Sequence, residues 1–170
     1  MTHDLHVVHV INSLDRGGAE TNLARLCEAT AGRGVSNVVV TLRDGGELRS
    51  DVARFSRVIP LSALPEALRL LRMPRAAGAP QLLVGWMYLG CVAAALLAPR
   101  SMPVVWSLRH VPDQLQRESR ATRVALSWLR RFSRAGGRRR PALLIANSAA
   151  AVDAHRRLGI DAPCRVIENG

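Results

Sequence analysis

The chain has 170 residues, of which 48% are hydrophobic, and this length and composition are typical of one globular domain with a core of its own. Its formal net charge of +11 and sequence pI of about 11.5 imply an anionic partner, such as nucleic acid, anionic lipid head groups or a phosphorylated substrate. Its cysteines, Cys27, Cys91 and Cys164, form no Cys-x-x-Cys pair and leave an odd count, which argues for reduced thiols and against a disulfide framework or a zinc site.

Short apolar segments alternate with helix-like segments along the chain. Several of them, including Val38–Val40 and Leu143–Ile145, show little polar alternation, which is typical of strands covered on both faces. The predicted strands are Leu5–Ile11, Asn37–Leu42, Arg57–Leu61, Gln81–Trp86, Val104–Leu108, Ala142–Ala146 and Arg165–Ile167. The predicted helices are Ala19–Ala31, Glu47–Phe55, Leu64–Leu71, Leu89–Leu97, Gln114–Arg134 and Ser148–Leu158. This order predicts an α/β fold, a Rossmann-like three-layer αβα sandwich with a mostly parallel sheet.

The uncharged stretch Leu82–Ala98, between Pro80 and Pro99, has 17 residues, which approaches the length of a membrane span. Gly85 and Gly90 interrupt it, so a buried strand followed by a buried alanine-rich helix is favoured over a membrane helix. No basic leader precedes the apolar residues Leu5–Leu14, so no signal peptide is predicted. Together with the reduced cysteines, these features predict a cytoplasmic location.

Two adjacent glycines, Gly17 and Gly18, lie between the first strand and the first helix. They leave room for a ligand to contact bare backbone, and the helix N-terminus supplies free N–H groups that suit a phosphate. The pair is not the dinucleotide fingerprint, which needs three spaced glycines, and it is not a P-loop, because the chain contains no lysine. A tight strand-to-helix turn without a ligand is the alternative.

Polar and glycine residues concentrate in the loops that follow the predicted strands. In a parallel sheet, ligands bind beyond the carboxyl ends of the strands, so these loops predict the functional site. The loops are Asn12–Gly18, Arg43–Glu47, Met87 with Tyr88, Arg109–Asp113, and Asn147 with Ser148.

Five stretches in this order carry a family resemblance: His9–Leu14 with Gly17–Glu20; Trp86–Tyr88; Pro103–His110; Asn147 with Ser148; and His155, Gly159 and Val166–Gly170. The chain resembles the N-terminal domain of GT-B glycosyltransferases of the large retaining family 4. It departs from the usual pattern at Gln81, Gly85 and Glu168, which puts the particular acceptor in doubt rather than the family.

The resemblance implies that residues 1–170 form a single acceptor-side domain, one half of a GT-B fold, and that a C-terminal nucleotide-sugar-binding domain is absent from this sequence. It implies transfer of a sugar from a nucleotide-sugar donor to a saccharide or lipid-linked acceptor, in synthesis of a cell-envelope polysaccharide. The donor phosphate would assist a retaining reaction, so neither a protein nucleophile nor a metal or other cofactor is expected. The fragment alone would be inactive. Richness in arginine and alanine suggests a GC-rich bacterial genome.

The resemblance also implies site residues. Gly17 and Gly18 would contact the donor diphosphate. His110 is favoured as the catalytic residue near the reacting sugar, with Arg109 gripping a phosphate, although an exposed polar pair at a strand end is the alternative.

Four further residues are expected to bind substrate: Glu20, Tyr88, Asn147 and Ser148. Glu20 has a purely structural explanation as an acid in the first turn of a helix, and Ser148 suits a helix cap equally well. His6, His9 and His155 show no metal-ligand spacing and are interpreted as structural.

The segment Gln114–Arg140 contains nine arginines and one acid, Glu118. A basic amphipathic helix with Trp and Phe suits an anionic membrane surface, which predicts a peripheral position at the inner membrane. A helix that docks on its own sheet with a solvated basic face is the alternative. The predicted apolar face comprises Ala121, Val124, Ala125, Trp128, Leu129 and Phe132.

Two other functions compete with an enzyme domain. The first is a stand-alone Rossmann-like binding module for an anionic, phosphorylated ligand. The second is nucleic-acid binding, which rests on charge alone and ranks last because the chain lacks an aromatic-interleaved binding motif or a reading helix.

Overall fold

A computed structural model describes residues 5–73, 79–110, 118–135 and 140–168. Within these ranges the chain forms a seven-stranded sheet with the order β3-β2-β1-β4-β5-β6-β7, and each neighbouring pair is parallel. The strands are β1 (Leu5–Ile11), β2 (Val35–Thr41), β3 (Arg57–Pro60), β4 (Leu82–Trp86), β5 (Val104–Leu108), β6 (Leu143–Ala146) and β7 (Cys164–Val166). The predicted α/β sandwich is confirmed.

The helices alternate with the strands as predicted. They are α1 (Gly18–Thr30), α2 (Arg49–Ala53), α3 (Leu64–Leu71), α4 (Met87–Leu97), α5 (Arg120–Ala135) and α6 (Ala149–Arg157), and a 3₁₀ turn at Leu61–Ala63 precedes α3. The first four residues of the helix predicted at Gln114–Arg134 lie outside the described residues, and its predicted start is wrong at Glu118 and Ser119, because α5 begins only after Ser119, whose hydroxyl accepts the Thr122 N–H at 3.1 Å as an N-cap.

Two further predicted helices, those at Glu47–Phe55 and Leu89–Leu97, have wrong boundaries for local reasons. The helix predicted at Glu47–Phe55 shortens to α2 because the Leu48 N–H donates to the Leu14 carbonyl at 2.9 Å, which holds its first residues in a loop. The helix predicted to begin at Leu89 begins at Met87, which has a positive φ of 56° and turns the chain directly from β4 into α4.

The core divides into two layers, one on each face of the sheet. Helices α1 and α2 bury Leu23, Cys27 and Val52 against one face, while α3 to α6 bury side chains such as Cys91 and Leu129 against the other. Each fully buried aliphatic side chain contributes about 1.5–3 kcal/mol relative to its exposed state. Because helices cover both faces, the central strands need the nearly continuous apolar sequence that they have.

The uncharged stretch predicted as strand and helix is β4 followed by α4. Gly85 and Gly90 are required by packing, because a Cβ on Gly85 would collide with the Cys91 backbone and one on Gly90 with the Val10 carbonyl. Among the described residues, no helix is both long enough and apolar enough to cross a membrane.

The sheet reverses its winding direction between β1 and β4. From β1 the chain moves outward to β2 and β3, and then returns to place β4 on the other side of β1. In open α/β sheets the crevice beyond the carboxyl ends of such a strand pair is the usual ligand site. The loop after β1, with Gly17 and Gly18, and the β4–α4 turn at Met87 therefore border the same crevice.

Candidate functional site at the carboxyl edge of the sheet

Gly17 is the N-cap residue of α1 and has extended backbone, and its carbonyl accepts the Thr21 N–H at 2.9 Å. A Cβ on Gly18 would meet no described atom within 4 Å, whereas one on Gly17 would meet the Glu20 carboxylate. Packing within the described chain therefore does not require a glycine at Gly18. Its backbone is open at the N-terminus of a helix, where an anion is favoured.

Glu20 lies in the first turn of α1 and its carboxylate folds back toward Gly17. A negative charge at this end complements the helix dipole, so the structural explanation of Glu20 is satisfied. Contact of Glu20 with an acceptor hydroxyl stays a prediction.

The loop after β2 packs on the loop after β1. The Arg43 N–H donates to the Asn12 carbonyl at 2.8 Å, and Arg16 pairs with Glu47 at 3.1 Å on the surface. Gly46, with φ of 105°, lies so close to the Leu14 backbone that a Cβ would collide with it. The two loops thus pack together at the carboxyl edge of the sheet.

Arg109 follows β5 and lies on the aromatic ring at the end of β4. The guanidinium carbon of Arg109 is 5.7 Å from the Trp86 ring centre, a cation–π distance, and its Nε lies 3.4 Å from Ser107 Oγ. Burial lowers the pKa of Arg109 from its ordinary value, but a guanidinium stays protonated in proteins. A positive charge that is partly removed from solvent therefore lies at the carboxyl edge, where it can bind a phosphate through two N–H groups.

His110 is partly exposed, and its Nε2 lies 2.8 Å from a Glu118 carboxylate oxygen. Because a carboxylate only accepts, Nε2 carries the proton, and in neutral His110 the other nitrogen, Nδ1, remains an acceptor. The His110 ring also meets Tyr88 edge-on, with ring centres 6.2 Å apart. A donor or acceptor of this kind is what the predicted catalytic role needs.

Tyr88 is buried, and its hydroxyl lies 3.2 Å from His155 Nε2. Since His155 Nδ1 donates to the Ala151 carbonyl at 2.7 Å, Nε2 is the acceptor and the Tyr88 hydroxyl is the donor. Burial raises the pKa of Tyr88 and lowers that of His155, so both stay neutral at physiological pH. Tyr88 therefore turns its hydroxyl toward the protein interior, and its contact with a substrate stays a prediction.

Ser148 is the N-cap of α6, and its hydroxyl accepts the Ala151 N–H at 3.1 Å, as the capping interpretation predicts. The preceding side chain, Asn147, donates through Nδ2 to the Arg109 carbonyl at 3.3 Å and so links the ends of β5 and β6. Its Oδ1 is buried with no hydrogen-bond partner among the described residues. An unused acceptor at this edge suits a ligand hydroxyl or amine.

Helix α5 buries Ala125, Leu126, Leu129 and Phe132 against α4 and the sheet. The predicted apolar face is wrong at three positions, since Ala121 is exposed and Val124 and Trp128 are 50% and 43% exposed. At 100° per residue Val124 and Trp128 lie beside the arginine face instead of opposite it. A groove of about 580 Å³ on that face is lined by Arg123, Leu126, Ser127, Arg130, Arg131, Arg134 and Leu158.

Comparisons with known proteins decide the family. Residues 16–170 match the family model Glycosyltransferase Family 4. The chain belongs to glycosyltransferase family 4. A search of curated protein sequences finds no match to it.

Solved structures agree with this family 4 fold. Crystal structures of Anabaena HepE superpose with TM-scores of 0.72 for its complex with UDP, 0.69 with UDP and glucose, and 0.68 with UDP-glucose, at 20%, 21% and 22% identity. Each match covers 98% of this chain and 44% of the HepE chain. The family 4 chain thus spans less than half the length of these structures, and the likeness confirms a Rossmann-like half of a GT-B fold.

The predicted site residues of this family 4 domain fall into two groups at one edge of the sheet. Arg109 and Asn147 are joined by a hydrogen bond, and His110 contacts Tyr88. The second group, Gly17, Gly18 and Glu20, lies at the start of α1 after β1. Ser148, at the start of α6, stays beside the first group.

Sequence reasoning missed the partners that hold the first group. It interpreted His9 and His155 as structural without a partner, and His155 proves to hold Tyr88. The sequence does indicate that His9 has partners, because a histidine within the apolar segment Val7–Ile11 has to find hydrogen-bond partners inside the protein.

Proposed function

We propose that this chain is the acceptor-side, N-terminal domain of a retaining glycosyltransferase. The enzyme moves a sugar from a nucleotide-sugar donor to a saccharide or lipid-linked acceptor in synthesis of a cell-envelope polysaccharide. Family 4 membership supports the reaction class, and the HepE complexes with UDP and UDP-glucose support a nucleotide-sugar donor. The observation that carries the proposal is the open Gly18 backbone at the switch point of a sheet whose same edge holds Arg109 and His110.

Each site residue has a role that follows from its chemistry. The open start of α1 at Gly17 and Gly18 meets the donor diphosphate, because free N–H groups and the helix dipole favour an anion. Arg109 adds a guanidinium that can bind a phosphate through two N–H groups. His110, held by Glu118, faces the reacting sugar with its remaining nitrogen, and Asn147 Oδ1 accepts from a hydroxyl.

The donor phosphate assists the reaction, so the protein supplies positioning and charge rather than a nucleophile. Among the described residues, no three His, Cys, Asp or Glu side chains lie together as metal ligands do. That no metal is used remains part of the proposal. A second domain holds most of the donor, and the 170-residue chain alone does not transfer sugar.

The test is nucleotide-sugar turnover by the complete product of the gene, with UDP-glucose as the first donor and released UDP as the readout. Arg109→Ala and His110→Ala are each expected to lower kcat/KM by about 100-fold, the usual loss when a positioned charge or acid–base group is removed. Arg100→Ala, an exposed arginine at the opposite edge, is the matched control. Phosphate or UDP binding without turnover of any nucleotide sugar would favour the stand-alone binding module instead.

Helix α5 supports a second element of the proposal, a peripheral position of a cytoplasmic enzyme at an anionic inner membrane. The helix contains five arginines and no acid, four of these arginines line a groove, and Val124 and Trp128 are exposed on another part of its surface. Basic residues flanked by an exposed tryptophan are typical of helices that lie in a membrane interface. The same surface suits contact with a lipid-linked acceptor.

Co-sedimentation with vesicles of phosphatidylglycerol and phosphatidylcholine tests the membrane contact. The Arg123→Gln, Arg130→Gln, Arg134→Gln triple variant is expected to bind roughly 100-fold more weakly, at about 1 kcal/mol for each arginine near the surface. The triple variant Arg33→Gln, Arg69→Gln, Arg100→Gln removes the same charge from exposed positions elsewhere. Equal losses for the two triple variants would contradict a role for α5 beyond net charge.

A further inference from the structure

A line of buried polar side chains crosses the sheet beneath the candidate site. His9, in the middle of β1, is 2% exposed and lies between a side chain of β2 and one of β4. Its Nε2 is 3.1 Å from Asn37 Oδ1, and its Nδ1 is 3.1 Å from Trp86 Nε1. The contacts reach 28 residues forward to Asn37 and 77 residues forward to Trp86.

The chemistry of each group fixes which atom donates and which atom accepts in every hydrogen bond of this line. An indole N–H only donates, so His9 Nδ1 is the acceptor, and the ring proton therefore sits on Nε2 and is donated to Asn37 Oδ1. Asn37 Nδ2 then donates to Thr30 Oγ1 at 2.8 Å, and the Thr30 hydroxyl donates to the Leu26 carbonyl at 2.7 Å. The line thus anchors the Trp86 indole to helix α1.

Burial keeps this arrangement intact at neutral pH. Desolvation lowers the pKa of His9 to about 4, against the smaller effect of the hydrogen bond with Asn37, so the imidazole stays neutral. A protonated His9 would have no acceptor for the Trp86 N–H. The neutral tautomer is therefore the form that holds Trp86.

The other end of the line reaches the site. Arg109 lies on the Trp86 ring at 5.7 Å, so the plane of the indole defines where the guanidinium sits. Met87, the next residue, is the one non-glycine residue with positive φ among the described residues. A methionine in this conformation costs energy and persists only where its surroundings fix it. The indole ring is thus held at its nitrogen by His9, and the backbone that follows Trp86 is constrained at Met87.

A purely structural role would explain why His9 is buried, but not why it is hydrogen-bonded to both Asn37 and Trp86. The same space on the face of α1 and α2 could hold an apolar side chain, as Val7 and Ile11 do on either side of His9. Such a residue would fill the core yet leave the Trp86 N–H buried without a partner, which destabilises the folded state. It would also leave the rotation of the indole unspecified.

We propose that His9 is a positioning residue that fixes the orientation of the Trp86 indole and, through it, the place of the Arg109 guanidinium at the carboxyl edge. The effect on sugar transfer rests on the proposed function. The effect of His9 on the orientation of Trp86 and the position of Arg109 does not depend on that function.

NMR of the 170-residue chain tests the geometry directly. The resonance of the Trp86 indole N–H is identified by its loss in Trp86→Phe, and its exchange with solvent is followed together with the ring-current displacement of the Arg109 side-chain signals. In His9→Leu, indole exchange is expected to accelerate by about 100-fold or more as the protected state is lost, and the Arg109 displacement is expected to shrink by at least half.

Two further variants keep the test decisive. Val8→Ala, on the opposite face of β1, lowers stability without touching the line of side chains and is expected to leave the Arg109 signals unchanged. His9→Gln keeps one acceptor and one donor and is expected to restore part of the displacement. If His9→Leu does not fold, His9→Val decides, because a β-branched side chain suits a strand and also removes the acceptor of the Trp86 N–H, and Arg109 is again expected to shift.

Unchanged Arg109 signals in the folded His9→Leu or His9→Val chain would overturn the proposal. In the complete gene product, His9→Leu is expected to lower kcat about 10- to 100-fold, as a misplaced binding group does. If the wild-type product turns over no nucleotide sugar, the proposed function fails while the NMR result still decides whether His9 positions Arg109.

Discussion

The Nε1–H of Trp86 donates to Nδ1 of His9 across 3.1 Å, and this bond joins the two strands that flank the switch point of the sheet. Main-chain pairing already sets β4 beside β1, with Val84 opposite His9. The side-chain bond adds what main-chain pairing does not specify, the rotation of the indole on which Arg109 lies. The floor of the candidate site is thus set by a buried histidine.

Acid is expected to destabilise the fold through His9. Its pKa is about 4 in the folded chain against 6.5 for an ordinary histidine, so between these values the unfolded state binds more protons. The contribution of His9 to the free energy of unfolding is therefore complete above pH 6.5. It falls by roughly 3 kcal/mol in total as the pH drops toward 4. The lowered pKa of His155 acts in the same direction.

Urea denaturation at pH 7 and pH 4.5 measures this loss. Carboxylates also protonate in this range, so the comparison is with His9→Gln, which keeps every other titrating group. The variant is expected to show a flatter dependence on pH than the wild type. If the free energy of unfolding changes equally with pH in the two proteins, His9 does not titrate as its burial predicts.

Glycine at Gly18 is expected to be dispensable for stability. An added Cβ meets no described atom, and alanine is a better helix former by up to about 1 kcal/mol, so Gly18→Ala should unfold at the same or a higher temperature. Thermal unfolding followed by circular dichroism measures it. A clear drop in melting temperature would show that the turn itself demands glycine and would weaken the case for a ligand there.

Gly45 and Gly46 offer a matched pair in the loop after β2, since both have positive φ and only the second has the Leu14 backbone against it. Gly45→Ala should cost about 1 kcal/mol from backbone strain alone. Gly46→Ala should cost about 1–3 kcal/mol more, because the two loops must move apart. Chemical denaturation of both variants gives the difference, and equal costs would contradict the packing of one loop on the other.

Substitutions of Ser148 and Asn147 are expected to differ in how they affect stability and sugar transfer. Ser148→Ala removes an N-cap and is expected to lower stability by about 1 kcal/mol while leaving transfer by the complete gene product nearly unchanged. Asn147→Ala removes both an unused acceptor and the bond from Nδ2 to the Arg109 carbonyl, so it is expected to lower kcat/KM as well as stability. Denaturation and turnover measured on both variants test this, and a reversed order would assign the substrate contact to Ser148.

Much of the fold could be predicted from sequence because parallel strands buried on both faces leave a strong local signal. Runs such as Val38–Val40 and Leu143–Ile145 mark their strands without any knowledge of the partners. Boundaries set by distant contacts could not be predicted. The start of α2 depends on a bond from Leu48 to Leu14, which lies in another loop.

The candidate site could be predicted to the level of the edge and its loops, because polar residues gather where strands end. Its internal connections could not, since His9 meets Asn37 and Trp86 only after the strand order is known. On α5, Val124 and Trp128 were grouped with the apolar face because the sequence does not show which arc of a helix meets its neighbours.

The most direct test of the account is the turnover of a nucleotide sugar by the complete gene product carrying Gly18→Val. Ala31→Val, an exposed position at the other end of α1, is the control for adding bulk to that helix. The account predicts that Gly18→Val keeps the fold yet lowers kcat/KM by about 100-fold, because the side chain displaces the diphosphate from the helix N-terminus, while Ala31→Val stays within about twofold of wild type. Equal activity of Gly18→Val, Ala31→Val and the wild type would contradict the placement of the site at this edge.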